Sequence, residues 1–290
     1  MNEPSGPART LFGTHGRSFQ RNLYVYPVLS RRSGGISIGV NLNRDKSCNF
    51  RCVYCQVDRS ESCGKEPIDL GRLRDELAGM IDLVVSGRLF EEGKFRDAPQ
   101  PLRHLKDIAL SGDGEPTACT NFDEVVALCA EIRRQRELRE VKLVLITNAS
   151  LLHQPNVRRG LEILDSSDGE IWAKLDAGTE AYFKQVARSE IPFQRILDNL
   201  AEAARARPIV IQSMMMRIHG EPPSPAEQAA YCDRLAEIVA AGGRIKLVQI
   251  YTVARSPTEE WVAALSAVEV DAIAESVRRR TGLPVSAFYG

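Results

Sequence analysis

The sequence has no excess of charge of either sign and no long apolar run. Its 38 lysines and arginines balance 38 aspartates and glutamates, so the formal net charge is zero. A neutral chain has no global electrostatic attraction to nucleic acid, although a local basic patch remains compatible with it. No segment approaches the roughly 20 apolar residues of a membrane helix. With no signal peptide ahead of the cysteines, the expectation is a soluble protein of a reducing cytoplasm.

Cysteines are few, and three of them are clustered. Seven cysteines in 290 residues is an odd count at an ordinary density, which argues against a disulfide framework. Cys48, Cys52 and Cys55 lie within the run CNFRCVYC. A structural zinc site needs four ligands in a closed tetrahedron, and only Cys63 is near enough in sequence to be the fourth. Zinc is therefore the weaker of two alternatives.

The other alternative is an iron–sulfur site. The cysteine run lies between an apolar alternating stretch at 36–40 and a predicted helix at 69–85. Three thiolates on a strand-to-helix loop can hold three irons of a cubane cluster and leave the fourth iron open. We therefore expect one 4Fe–4S cluster, with chemistry at the open iron.

Downstream of the cysteines, short apolar runs of strand character alternate with longer amphipathic segments. This is the pattern of βα units around a parallel sheet. Strands are predicted at 37–40, 107–110, 142–146, 170–175, 209–214 and 246–250. Helices are predicted at 69–85, 121–136, 154–164, 179–186, 192–205 and 225–240. Six βα units favour an α/β fold with a partial (β/α)6 TIM-type barrel.

We expect one domain with an extension at each end. The predicted bounds are 1–35 for the N-terminal extension, 36–256 for the barrel core and 257–290 for a helical C-terminal extension. The last contains a helix at 268–280 and a short strand at 284–288, and the stretch 88–106 is predicted to be a polar excursion. In the arm 8–32, arginines are interleaved with aromatic residues. These residues either bind phosphates and stack on bases, or pack across the barrel rim with their charges in water. They are Arg9, Arg17, Arg21, Arg31, Arg32, Phe12, Phe19, Tyr24 and Tyr26.

The second predicted strand leads into the run GDGEPT. Working residues collect at the carboxyl ends of parallel strands, so this loop is a candidate ligand site. Two glycines flanking an acid allow the backbone to approach a ligand closely. The candidate residues are Gly112, Asp113, Gly114, Glu115 and Pro116.

The next two strands also end in polar residues. Asn148 follows the third strand, and Lys174 and Asp176 close the fourth. Alternation along a strand puts Lys174 and Asp176 on one face, where opposite charges need either each other or a polar ligand. They are candidates for cofactor binding, with an internal ion pair as the alternative.

The sixth strand ends in a second polar group. Gln249, Tyr251 and Arg255 lie where a substrate carboxylate or phosphate could be received. A loop that only caps the barrel mouth explains the same residues equally well. They are therefore tentative substrate-binding residues.

The CxxxCxxC spacing, with Tyr54 beside the last cysteine, resembles the cluster motif of the radical S-adenosylmethionine (SAM) superfamily. GDGEPT resembles the superfamily's GGEP motif, which receives the SAM ammonium group. The resemblance implies that the open iron chelates SAM and that an electron from the cluster splits it to a 5′-deoxyadenosyl radical. It also implies that the strand of Lys174 and Asp176 contacts the SAM ribose or carboxylate.

The runs CNFRCVYC, GDGEPT, ITNAS, KLDAGT and IYTVAR together resemble one branch, the stand-alone Fe-S oxidoreductases related to the tRNA wybutosine-synthesising enzyme. The resemblance spans about 37–256. The wybutosine enzymes look to need a second cluster held by cysteines ahead of the motif, and this chain has no cysteine before Cys48. We therefore carry over the fold, the cluster and SAM cleavage, and leave the wybutosine reaction aside.

The resemblance implies a flavodoxin- or ferredoxin-type reductant and a substrate that is a modified tRNA base, a small molecule or a peptide. A different class, a zinc- or cluster-stabilised nucleic-acid-binding protein, predicts a basic surface. The zero net charge and the three clustered thiols weigh against that class.

Overall fold

The computed structural model describes residues 19–57, 66–91, 93–255 and 257–290. Within these residues the chain forms two units. Unit 1 comprises 19–47, 66–145 and 155–169, and unit 2 comprises 48–57, 146–154 and 170–290 without residue 256. Arg9, Phe12, Arg17 and Cys63 lie outside the described residues.

Strands and helices alternate along most of the chain. The strands are β1 Val25–Ser30, β2 Gly35–Val40, β3 Leu105–Leu110, β4 Lys142–Thr147, β5 Glu170–Lys174, β6 Ile209–Met214, β7 Met216–Ile218, β8 Ile245–Tyr251, β9 Val262–Ala264 and β10 Val285–Phe288. The α-helices are α1 Leu70–Val85, α2 Phe122–Gln135, α3 Pro155–Ser166, α4 Glu180–Ala187, α5 Phe193–Ala206, α6 Pro225–Ala240 and α7 Ala267–Thr281.

Unit 1 contains a mostly parallel sheet and the helices α1 to α3. β1 pairs antiparallel with β2, and β2, β3 and β4 run parallel in that order. Ile38, Ile108 and Leu143 are completely buried in its core. Asp69 begins α1 by accepting a hydrogen bond from the Arg72 backbone N–H, as an N-cap aspartate does. The order of strands brings the loops after β2 and β3 to the same edge of this sheet.

Unit 2 contains a parallel sheet, a small antiparallel pair and the helices α4 to α7. β5, β6, β8 and β10 run parallel in that order, and β7 pairs antiparallel with β9. The register sets Lys174 of β5 opposite Gln212 of β6, and Gln212 opposite Gln249 of β8. Residues in register lie on one face, so these three polar side chains form a row across three strands.

The six strands and the helices predicted for the core are present, with bounds that differ by a few residues, and so are the predicted C-terminal helix and strand. β1 lies within the stretch predicted as an N-terminal extension. The prediction of a polar excursion at 88–106 is wrong, because Leu89, Phe90, Phe95 and Ala98 are buried. Two short 3-10 turns, Arg88–Phe90 and Gly93–Phe95, contain Leu89, Phe90 and Phe95 and direct these side chains inward.

Among the helices of the described residues, none has the length and apolar character needed to cross a membrane.

Candidate functional site

The cysteine loop of unit 2 is fixed by backbone hydrogen bonds to the end of α4. The Arg51 N–H donates to the Ala187 carbonyl at 2.8 Å, and the Val53 N–H donates to the Val186 carbonyl at 2.9 Å. Val53 is completely buried. The loop backbone between the first and last predicted ligands is therefore anchored, while the three cysteines around it stay half-buried.

The donor chemistry of this loop suits an iron–sulfur cluster. Cys48, Cys52 and Cys55 form no disulfide in the described chain. Across the described ranges, no three His, Cys, Asp or Glu side chains converge as a ready-made metal site. Burial raises the pKa of the Cys52 thiol to about 12, with the charge of Asp176 acting in the same direction. Ligation requires the thiolate, so cluster binding by Cys52 must release a proton.

Asn148, predicted to bind the cofactor, lies beside the first cysteine. Its side-chain nitrogen is 3.9 Å from Cys48 Sγ and donates to Asn49 Oδ1 at 2.8 Å. Its side-chain oxygen accepts from the Ser150 backbone N–H at 3.0 Å. The residue is 6% exposed. The structure thus brings a predicted cofactor residue and a predicted cluster ligand together within unit 2.

Lys174 and Asp176 form a charged group with two tyrosines. Lys174 Nζ lies 3.5 Å from Asp176 Oδ2 and 2.6 Å from Tyr251 Oη. The Tyr54 hydroxyl donates to Asp176 Oδ2, and Lys174 Nζ lies 4.8 Å from the centre of the Tyr54 ring. Asp176 Oδ1 accepts from the Met214 backbone N–H at 2.8 Å. The ion pair that the sequence offered as the alternative to cofactor binding is present, and Tyr54 of the cysteine loop bonds to it.

The charges in this group shift two pKa values. Burial alone would lower the pKa of Lys174, but the nearby Asp176 carboxylate and the Tyr251 oxygen outweigh it and raise that pKa. Lys174 is therefore a permanent cation at neutral pH. Burial, reinforced by the charge of Asp176, raises the pKa of Tyr54. Its hydroxyl accordingly keeps its proton and remains a hydrogen-bond donor.

The GDGEPT loop of unit 1 lies against the loop that follows β2. Asn41 Nδ2 donates to Asp113 Oδ2 at 2.6 Å, and the Asp113 N–H donates to Asn41 Oδ1 at 3.1 Å. A Cβ at Gly112 would overlap the Asn41 side chain, and one at Gly114 would overlap the Ser47 carbonyl oxygen. Both positions therefore require glycine for close approach of the two loops.

The second half of this loop is buried. Glu115 is 2% exposed and its carboxylate accepts from the Thr117 N–H and hydroxyl. Pro116 begins a 3-10 turn over Pro116–Ala118. The Glu115 N–H donates to the Ser47 carbonyl at 3.0 Å. The sequence did not single out Asn41 or Ser47, although Asn41 directly follows a parallel strand, where functional residues collect.

The tentative substrate residues are dispersed over unit 2. Tyr251 joins Lys174, whereas Gln249 is 2% exposed and accepts from Gln212 Nε2 at 2.8 Å. Arg255 Nη1 donates to Gln56 Oε1 at 2.9 Å, directly after the cysteine loop. The three residues thus have different surroundings, and Tyr251 accepts a hydrogen bond from Lys174, a predicted cofactor residue.

Comparison with known families finds a family model that matches more than half of the chain. The model of the radical SAM superfamily matches residues 45–230, a span that contains all three cysteines and GDGEPT. Membership of this superfamily implies a 4Fe–4S cluster and SAM as cofactors.

Curated relatives match part of the chain. A UPF0026 protein of Helicobacter pylori is 26% identical over 178 residues, which is 61% of this chain and 48% of the relative. A protein named GTPase Obg from Brachyspira hyodysenteriae is 28% identical over 181 residues, which is 62% of this chain and 23% of the relative. The chain thus spans less than half the length of these relatives.

Solved structures show the same fold. A radical SAM methyltransferase from Sphaerobacter thermophilus superposes with a TM-score of 0.60 at 13% identity, covering 91% of this chain and 69% of the other. A structure of TYW1 with a lysine-pyruvate adduct bound superposes with a TM-score of 0.52 at 15% identity, covering 85% of this chain and 74% of the other. The predicted fold class, an α/β partial TIM-type barrel core, and the predicted resemblance are confirmed. The chain belongs to the radical SAM superfamily.

Proposed function

We propose that this protein is a radical SAM enzyme that cleaves SAM reductively and abstracts hydrogen from an organic substrate. When bound, a 4Fe–4S cluster supplies the electron that splits SAM into methionine and a 5′-deoxyadenosyl radical. Cys48, Cys52 and Cys55 hold three irons of the cluster through their thiolates.

The observation that supports this proposal most directly is the contact between the cysteine loop and the Lys174–Asp176 pair. Tyr54 lies between Cys52 and Cys55, donates to Asp176 and lies within cation–π distance of Lys174. A metal-binding loop and a fixed pair of opposite charges are therefore neighbours within unit 2. SAM needs both kinds of partner, because it combines a metal-chelating amino acid with a polar nucleoside.

The residues have separate tasks in this proposal. The Lys174 ammonium, kept protonated by its neighbours, binds the SAM carboxylate. Asp176 accepts hydrogen bonds from the ribose hydroxyls. The half-buried rings of Tyr54 and Tyr251 limit the access of water to the reactive centre.

For the substrate, we propose only a chemical class. Gln249, Tyr251 and Arg255 are the proposed contacts, and the substrate is a modified tRNA base or, alternatively, a small molecule or peptide. Oxidoreductase chemistry, a flavodoxin- or ferredoxin-type reductant and a cytoplasmic location belong to the same proposal. The zero net charge requires that any RNA be bound through a local patch.

The test is formation of 5′-deoxyadenosine by anaerobically reconstituted protein that is reduced with dithionite and mixed with SAM. We expect cluster-dependent product from the wild type and from Cys232→Ala, a control on α6 outside the cysteine loop. The variant with Cys48, Cys52 and Cys55 all changed to Ala should give none. A wild-type protein that binds zinc in these cysteines and takes up no iron would overturn the proposal.

A second arm tests the SAM contact of Lys174. A hydrogen bond to a charged group is worth about 1.5–3 kcal/mol. We therefore expect Lys174→Met to bind SAM about 10- to 100-fold more weakly in anaerobic titration calorimetry. Lys184→Met is the matched control, because Lys184 lies on the exposed face of α4 and pairs only locally with Glu180. Equal affinities of the two variants would remove Lys174 from the SAM site.

A further inference from the structure

The Asn148 side chain directs its amide N–H groups at the cysteine loop. Asn148 is the first residue after β4 and is almost fully buried. Its Nδ2 atom donates to Asn49 Oδ1 at 2.8 Å and reaches Cys48 Sγ at 3.9 Å. Both of these partners lie in the run that begins with the first predicted cluster ligand. The amide therefore presents donors, and no acceptor, to this part of the loop.

The hydrogen bonds on the other side of the amide fix this orientation. The backbone N–H of Ser150 can only donate, and it donates to the Asn148 side-chain oxygen at 3.0 Å. The Ser150 hydroxyl donates to the same oxygen. A flipped amide would place two donors against that N–H, so the nitrogen has to face the cysteine loop.

The backbone after Asn148 is held in an unusual conformation that supports this arrangement. Ala149 has a φ of 63°, in the left-handed region that residues with a Cβ rarely adopt. Asn199 of α5 is 3% exposed, and its Nδ2 donates to the carbonyls of Ala149 at 2.7 Å and Ser150 at 3.1 Å. Such strain persists where the surrounding structure fixes it, and it is common at functional sites.

The cysteine loop is held from its own side as well. The Ser189 hydroxyl donates to the Asn49 carbonyl at 2.9 Å, and Asn49 Nδ2 donates to the Ser150 hydroxyl at 2.8 Å. Asn49 therefore bonds to Asn148 and Ser150 on the turn after β4, and to Ser189 beyond α4. These bonds hold Cys48 and the Asn148 amide in fixed relation to one another.

We propose that Asn148 is a positioning residue that donates an N–H···S hydrogen bond to Cys48 in the cluster-loaded protein and thereby raises the reduction potential of the cluster. The inference rests on the proposed function, because it requires a cluster on Cys48. Reduction adds negative charge that is shared by the cysteine sulfurs, and an N–H donor stabilises the reduced state more than the oxidised state. This role differs from the SAM contact that the sequence predicted for Asn148.

The isosteric variant Asn148→Asp tests this role. An aspartate keeps an oxygen for the Ser150 N–H, so the turn after β4 retains that hydrogen bond, but it replaces the N–H donor by a carboxylate. We expect its reduced state to be disfavoured about tenfold, which corresponds to ~59 mV for a one-electron couple. The midpoint is measured by an anaerobic redox titration followed by EPR. Asn148→Ala, which removes the donor without adding charge, should shift the potential in the same direction.

Asn156→Asp is the matched control. It makes the same amide-to-carboxylate change at a residue whose side chain donates to the Cys119 and Thr120 carbonyls at 3.3 Å each, and not to the cysteine loop, so its potential should equal that of the wild type. Pulsed EPR on protein with ¹⁵N-labelled asparagine gives a second readout. Asn49, next to Cys48, carries the label in every sample, so the readout is the coupling that is lost together with Asn148. That coupling to the reduced cluster should be present in the wild type and in Asn156→Asp and absent from Asn148→Asp and Asn148→Ala.

Two outcomes overturn the inference and can be told apart. If the wild type and both Asn148 variants hold a full 4Fe–4S cluster at one common potential, Asn148 does not tune the cluster and the proposed function stands. If the wild type holds no 4Fe–4S cluster after reconstitution, the proposed function fails and this inference fails with it. Iron and sulfide analysis of each sample separates these cases before the titration begins.

Discussion

At the scale of single residues, Gly114 shows how closely the GDGEPT loop approaches its neighbour in unit 1. A Cβ there would overlap the Ser47 carbonyl oxygen and crowd the Asn43 side chain, and neither the backbone atom nor the 2% exposed Asn43 can move away. We expect Gly114→Ala to lower the melting temperature by several degrees, because overpacking a close contact costs about 1–3 kcal/mol. Thermal unfolding checks this effect.

Gly79→Ala is the control for that variant. Gly79 lies within α1, and a Cβ there meets no atom within 4 Å. Alanine in a helix is about 0.5–1 kcal/mol more favourable than glycine, so this change should stabilise the protein. A Gly114→Ala protein that melts like the wild type would show that the loop can move, and that the glycine is dispensable.

Residue-scale prediction from sequence succeeded where the pattern is local. Alternation along β5 placed Lys174 and Asp176 on one face, and the structure shows their ion pair at 3.5 Å. The partners Tyr54 and Tyr251 are distant in sequence from Asp176 and Lys174, and nothing local indicates those contacts. Likewise, the spacing of the cysteines identified the loop but could not identify Asn148 as its neighbour.

At the scale of elements, Glu76 joins α1 to the start of β1 within unit 1. Its carboxylate accepts from the backbone N–H groups of Leu23 and Tyr24 at 2.8 Å each, and from Val25 at 3.3 Å. Arg72, one turn earlier on α1, donates to the same carboxylate at 2.8 Å. The Glu76 carboxylate therefore accepts from three consecutive backbone N–H groups at the start of β1, the edge strand of the sheet.

The lowered pKa of Glu76 makes the stability of this contact between α1 and β1 depend on pH. Burial alone would raise that pKa, but the hydrogen bonds from Arg72 and the backbone lower it below its usual 4.5. A lowered folded-state pKa contributes stability above the unfolded value, and that stability is lost as the pH falls through the folded value. We expect Glu76→Gln to lose about 1–3 kcal/mol of unfolding free energy at pH 7 in urea titrations.

The difference between Glu76→Gln and the wild type should begin to shrink near pH 4.5, where the carboxyl group of the unfolded state is protonated. It should be lost as the pH falls through the lowered pKa of the folded state, where the native carboxyl group is protonated as well. Glu131→Gln is the control, since Glu131 forms a surface pair with Arg74 and is 40% exposed. Such pairs contribute about 0–1 kcal/mol. A constant difference between Glu76→Gln and the wild type from pH 7 to pH 3 would rule out the charged form as the source of stability.

The elements that the sequence missed share a physical reason. β1 contains Pro27, which lacks a backbone donor and is tolerated only at a sheet edge or at a bulge, so its strand character is weak locally. β7 and β9 have three residues each and pair across a long separation, from Met216 to Ala264. Elements of the core were predictable because each has its own apolar periodicity, whereas these depend on a distant partner.

At the scale of the whole molecule, the cysteine loop belongs entirely to unit 2, so cluster binding should change the stability of that unit. The loop is bonded to the end of α4 at Arg51 and Val53, and the Thr258 hydroxyl donates to the Cys55 carbonyl at 3.1 Å. A ligand that binds only the folded state stabilises it by mass action, by about 2.7 kcal/mol at 100 times its dissociation constant. Cluster loading should therefore stabilise unit 2 first.

We expect the cluster-loaded protein to melt about 5 °C or more above the apo protein in anaerobic calorimetry. In hydrogen exchange, protection should increase in α4 and in the segment 252–261, while peptides from α1 and α2 of unit 1 serve as the internal reference. The variant with all three loop cysteines changed to Ala should melt like the apo protein whether or not iron and sulfide are added. Equal melting temperatures of the loaded and apo wild type would mean that cluster binding does not stabilise the fold around the loop. That result would contradict the role inferred for the hydrogen bonds at Arg51, Val53 and Thr258.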